Sequence, residues 1–211
     1  IASQEGHSKV VKMLLAVDDI QVNQASNKGW TPLNAACGKG HSEVVRMLLA
    51  VEGIQVNQAD ANGTTPLNFA CQNGHSKVVK MLLTVDDIQV NQANNNGCTS
   101  LYKASRNGHS KVVKMLLPVD GIQVNQANTN GFTPLNIASW KGHSKVVRML
   151  LAVGGIQVNQ TNDNGWTPLN SACQEGHSKV VEKLLVVADI QVNQANENGS
   201  TPLSTACFKG H

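Results

Sequence analysis

The sequence predicts an all-α solenoid in which short helix-turn-helix units, each followed by a protruding β-hairpin loop, stack along one axis. Three observations carry that prediction. A Thr-Pro-Leu-Asn segment recurs every 34 residues through the 211-residue chain, at Thr31, Thr65, Thr133 and Thr167, with Thr99-Ser100-Leu101-Tyr102 and Thr201-Pro202-Leu203-Ser204 as variants in the same register. A Gly-His pair keeps the period from Gly6-His7 to Gly210-His211, so all seven histidines are repeat residues. The chain also holds only seven aromatics, a thin supply for one large core but sufficient for stacked units that each bury a small one.

Within a unit, Thr31 is a good N-cap, Pro32 suits the first helical position and Gly40 stops the helix after about two turns. Ser42 is the expected cap of a second helix. Its Val44, Val45, Leu48 and Leu49 share one face while Glu43 and Arg46 turn outward. Ile54-Gln55-Val56-Asn57 then alternates like a short strand, and Asp60-Ala61-Asn62-Gly63 is turn chemistry in which glycine supplies a positive φ. Dividing the chain on this period gives a single array: a partial repeat over 1–26, full repeats over 27–60, 61–94, 95–128, 129–162 and 163–196, and a partial repeat over 197–211.

The string Asn-x-x-Gly-x-Thr-Pro-Leu-Asn-x-Ala-Cys-x-x-Gly-His-Ser-x-Val-Val-x-Met-Leu-Leu, closing with Val-Asn, resembles the ankyrin repeat over essentially the whole chain. It departs from that pattern in three ways. Asn replaces the usual His after Thr-Pro-Leu, each unit carries one extra residue before Ile-Gln-Val-Asn, and the unit at Thr99 lacks its Pro. The resemblance implies a curved array whose hairpins and first helices line a concave groove for other proteins, with no catalytic residues to carry over.

Comparing units with one another locates the variable surface. Leu33, Ala36 and Cys37 recur almost unchanged and are expected to be buried. The fourth and seventh positions of helix one change freely: Ala35 and Gly38, Phe69 and Gln72, Lys103 and Arg106, Ile137 and Trp140, Ser171 and Gln174, Thr205 and Phe208. So does the residue before each Thr cap, which is Trp30, Thr64, Cys98, Phe132, Trp166 or Ser200. The outward positions of helix two are almost fixed by contrast, so exposure alone does not produce the variation. All seven aromatics lie on or beside the variable stripe, which makes Trp30, Phe69, Tyr102, Phe132, Trp140, Trp166 and Phe208 the expected partner anchors, with Lys103 and Arg106 as a basic centre. Six such rows about 10 Å apart would form a groove roughly 50 Å long.

The remaining features support blander expectations. Net charge is +3, and the basic rows of helix two are interrupted by Glu43 and Glu182, so they are expected to be a solvated face. Cys37, Cys71, Cys173 and Cys207 share one repeat position, too far apart on successive rungs for disulfides, and are expected to be packing residues in a reducing, cytoplasmic compartment. Cys98 lies on the variable stripe and is expected to be a tolerated small residue. One His per rung makes no tetrahedral cluster, so neither metal nor cofactor is expected. The glycosylation-like Asn62-Gly63-Thr64, Asn159-Gln160-Thr161 and Asn198-Gly199-Ser200 are most simply turn chemistry. No phosphate loop or nucleophile-base set stands apart from the repeat, and no apolar run is long enough for a membrane span, so neither enzyme activity nor a membrane partner is expected.

The expected function is therefore that of a non-enzymatic module or scaffold that binds a protein or peptide through its concave aromatic stripe. Two rival readings remain: a spacer or spring segment of a longer array without a groove ligand of its own, and stacking of single-stranded nucleic acid or a nucleotide beside Lys103 and Arg106. Nucleic acid is the less expected partner, and salt dependence separates it from a peptide. Neither Ile1 nor His211 falls at a polar cap, so a monomer within a longer array, or end-to-end association, is expected.

Overall fold

A computed structural model describes residues 1–211 and contains thirteen α-helices and no strand. The chain divides into two compact units, Ile1–Ser100 and Leu101–His211. The first holds α1 (Ala2–Glu5), α2 (Ser8–Leu14), α3 (Pro32–Lys39), α4 (Ser42–Leu49), α5 (Pro66–Gln72) and α6 (Ser76–Leu82). The division falls at the start of α7 (Ser100–Arg106), in the repeat that lacks its Pro. The second unit continues with α8 (Ser110–Leu116), α9 (Pro134–Trp140), α10 (Ser144–Leu151), α11 (Pro168–Gln174), α12 (Ser178–Leu185) and α13 (Pro202–Lys209).

Within each unit, first helices stack on first helices and second helices on second helices. α1, α3 and α5 form one row and α2, α4 and α6 the other; α9, α11 and α13 repeat the arrangement opposite α8, α10 and α12. Leu33, Ala36, Cys37, Val44, Val45 and Leu48 are at most 1% exposed, as their shared faces require. Burying one such Leu or Val contributes roughly 1.5–3 kcal/mol.

The helix starts follow the sequence in one case and not in the other. Thr31, Thr65, Thr133 and Thr167 accept the backbone N–H of the Asn three residues on, and proline occupies the first helical position. The second helices are not capped by serine: Ser42 is already helical, and His41 occupies the cap position without a side-chain cap bond. Its imidazole has a different use. His41 Nε2 lies 2.8 Å from the Gln4 carbonyl, and His75, His143, His177 and His211 repeat the contact with Gly38, Arg106, Trp140 and Gln174 at 2.9–3.2 Å. A carbonyl only accepts, so each of these rings carries its proton on Nε2. The ring occupies the space beside the preceding rung's glycine: Gly108 sits at φ 71°, and a Cβ there would fall 2.6 Å from His143 Nδ1.

The strand expected at Ile54–Asn57 is a pair of turns, with Ile54 N–H donating to Val51 and Gln58 N–H to Gln55. The physical reason is an asparagine clamp that takes over the backbone groups a strand would have used. Asn23 Nδ2 donates to the Gly53 carbonyl at 2.9 Å while its Oδ1 accepts from Gln55 N–H at 2.9 Å. Asn57 makes the same two bonds to Asp87 and Gln89, Asn125 to Gly155 and Gln157, and Asn159 to Asp189 and Gln191. Asn159, one of the glycosylation-like positions, is thus committed to structure.

Replacing Asn125 with Ala removes two inter-rung bonds, and a loss of about 1–2 kcal/mol is expected in urea denaturation, while Gln157→Ala, whose side chain is exposed, changes little. Gly108→Ala combines a positive φ with the approach to His143 and is expected to cost about 2 kcal/mol or more. Adding His143→Ala should recover part of that loss, because it relieves the clash but not the φ strain; full additivity of the two changes would contradict the packing account.

Candidate functional site

The N–H of the variable residue before each Thr cap is held by the polar side chain four residues earlier, which is Ser26, Asp60, Asn94, Asn128, Asn162 or Asn196. Asn162 N–H donates to the Trp166 carbonyl at 3.1 Å, and Asn162 Oδ1 accepts from Asn164 N–H at 3.1 Å and from Trp166 N–H at 2.9 Å. Gly165, at φ 75°, lets the turn close. Asn136, buried on the preceding rung, donates to the Trp166 carbonyl at 2.7 Å. Asn128 sets Phe132 in the same way, through N–H and Oδ1 bonds of 3.0 and 2.9 Å. Phe132 and Trp166 thus stand on closed turns, and their side chains can change without removing the backbone bonds beneath them.

In the second unit two such residues, Phe132 and Trp166, meet Trp140 from the end of α9. Phe132 and Trp140 stack with ring centroids 5.6 Å apart and planes inclined by 29°. With Trp166 they border an open concavity of about 150 Å³, completed by Asn162, Asn164, Ser171 and Gln174. Lys141 Nζ stands 4.2 Å from the Trp140 ring centroid, and Trp140 Nε1 donates to Glu175 at 3.1 Å. Gln174 Nε2 donates to the same Glu175 oxygen at 2.8 Å. Those bonds from Gln174 and Trp140, helped by the positive charge of Lys209, hold the Glu175 carboxyl below its ordinary pKa. In the first unit Trp30 and Phe69 form a tilted pair with centroids 4.8 Å apart.

Other expected anchors fall elsewhere. Tyr102 is 4% exposed and accepts a bond from Asn128 Nδ2 at 3.3 Å, so it packs inside the unit and presents no surface. Lys103 is 8% exposed, which removes the expected basic centre; Arg106 is exposed without it. The reason is general to the fourth position of helix one, where Ala35, Ile137, Ser171 and Thr205 are also buried. That position lies in the seam between stacked helices, as the bond from Ser171 Oγ to Asn136 Oδ1 on the preceding rung demonstrates. Phe69 is partly exposed, and the seventh position faces outward, with Trp140 partly exposed and Phe208 88% exposed and outside the concavity. Comparison of the units had missed the eighth position, which reads Lys39, Asn73, Asn107, Lys141, Glu175 and Lys209 and also varies; it supplies both charged neighbours of Trp140.

Of the five cysteines, Cys37, Cys71 and Cys98 are buried, Cys173 is half-buried and Cys207 is exposed. Burial pushes the Cys37 and Cys173 thiols up, away from the reactive thiolate. No helix is long and apolar enough to cross a membrane.

A family model described as ankyrin repeats (3 copies) matches residues 1–94, 84–162 and 152–211. No curated protein matches the sequence. Among solved structures, the chain is similar to EF0377, an ankyrin repeat protein, with 25% identity and a TM-score of 0.80 over 88% of this chain and 94% of that one. It is likewise similar to the human ASB11 ankyrin repeat domain, with 25% identity and a TM-score of 0.82 over 97% of this chain and 89% of that one.

The Trp140–Glu175 bond gives the site a pH signature. A carboxyl with a lowered pKa favours the bonded state above its unfolded value and loses that preference as pH falls through the folded one. The Trp140 indole N–H resonance is expected to titrate with a midpoint below that of a free glutamate, and Glu175→Gln should abolish the titration. A midpoint in the ordinary glutamate range would contradict the bonded geometry.

Proposed function

The chain belongs to the ankyrin-repeat family, whose members typically act as non-enzymatic protein-binding modules, and from that premise we propose that it binds a protein or peptide through the aromatic stripe on its first helices and fingers. The observation that carries the reading is the concavity at Phe132, Trp140 and Trp166. These are three large side chains at positions that differ from unit to unit, two of them on turns closed by the polar side chains of Asn128 and Asn162. Unlike Tyr102, which is also unrepeated but buried, these three rings remain partly exposed. Trp30 and Phe69 form a second, smaller contact area in the first unit, and Arg106 adds an exposed cation in the second.

Stacking of single-stranded nucleic acid has less support. Lys103 is buried, and Glu175 beside Trp140 repels phosphate. The constant basic positions of helix two, including Lys111, Lys114 and Lys145, are exposed and serve as a solvated outer face.

Against a captured protein or peptide, Trp140→Ala and Trp166→Ala are each expected to weaken binding by about 2 kcal/mol, roughly thirtyfold, while Lys111→Ala changes it little. Calorimetry on variants with unchanged melting curves makes the measurement. Affinity that follows Lys111 and its equivalents and ignores both tryptophans would move the site to helix two.

A further inference from the structure

Resting on that reading, we infer that the concavity of the second unit takes one uncharged apolar or aromatic side chain of an extended peptide, with basic residues on either side of it. The lining contains no ionisable group: beside the three rings it offers Asn162, Asn164, Ser171 and Gln174. A charged side chain entering it would lose hydration without gaining a counter-charge, whereas an apolar one gains ring contact and leaves amides to meet the peptide backbone.

The border has a different character. Asp163 lies between two lining residues at the finger tip and is exposed. Glu197, also exposed, is held next to the lining by its N–H bond to the Asn164 carbonyl at 3.2 Å. Glu175 follows Gln174 and is fixed by Trp140, in an environment that keeps it ionised. Three acidic residues therefore lie next to lining residues, against the ammonium groups of Lys141 and of Lys209, which acts on Glu175, in a chain whose overall balance is +3. A local acidic excess on a basic chain selects cationic flanks and rejects polyphosphate.

The test is selection of a random 12-residue peptide library on the full chain. The expected result is enrichment of peptides that place an apolar or aromatic residue within two or three positions of Lys or Arg. For a selected peptide, the Trp140→Ala/Trp166→Ala variant should lose at least about tenfold in affinity. Glu175→Lys should weaken the same peptide about fivefold and strengthen its counterpart with Glu in place of the basic residue. Circular dichroism melting confirms that each variant is folded. Acidic or charge-indifferent peptides that still require Trp140 would overturn the assigned occupant while leaving the binding site standing. Peptides indifferent to both tryptophans would overturn the site itself. No enrichment over a bare surface, or tryptophan quenching by oligothymidylate, would overturn the peptide assignment.

Discussion

The carbonyl of Trp140, at the end of a first helix, has the imidazole of His177 on the following rung 3.0 Å away as its partner. The same dependence recurs at Asn125 and Asn159, whose side-chain amides close the loops of the next rung. A two-helix rung of this length cannot complete its own backbone hydrogen bonds, and an unpaired buried group costs about 1–3 kcal/mol, so the neighbour must supply the partners in the same places each time. That requirement explains why Gly, His and Asn recur with so little change. Each is tied to a neighbour whose geometry is also fixed.

The constraint also frees other positions. Once the finger turn is closed by Asn162 Oδ1 and by Gly165, and its carbonyl is taken by Asn136, the Trp166 side chain contributes little to holding the turn. Phe132 stands on the equivalent turn. Recognition surface and scaffold are thereby separated within a few residues of each other, so the surface can be diverse although the scaffold is nearly uniform. Polar support of this kind also fixes the rings before a partner arrives, which lowers the ordering cost of binding.

The charges around Trp140 illustrate how neighbouring rungs combine. Lys141 follows Trp140 on its own rung, while Glu175 comes from the rung after it, 35 residues on. Neither residue is informative alone. Together they set the polarity of the indole's surroundings and leave a carboxylate at the edge of the concavity, with Gln174 helping to keep it ionised.

The sequence by itself determined the period, the helix pair in each rung, the Thr caps and the buried Leu-Ala-Cys and Val-Val-Leu faces, because these depend on local propensity and on a periodicity repeated throughout the chain. It also marked Phe132, Trp140 and Trp166 as departures from the repeat. Only the tertiary structure decided that Tyr102 and Lys103 face inward, that Ile54–Asn57 turns and does not pair as a strand, and that Lys141 and Glu175 flank Trp140. A helical wheel has one buried arc when a helix packs on one neighbour, but helix one packs on its own second helix and on adjacent first helices, which widens that arc to include the fourth position. The finger amides were satisfied across rungs, and no reading of one unit in isolation contains the atoms that satisfy them.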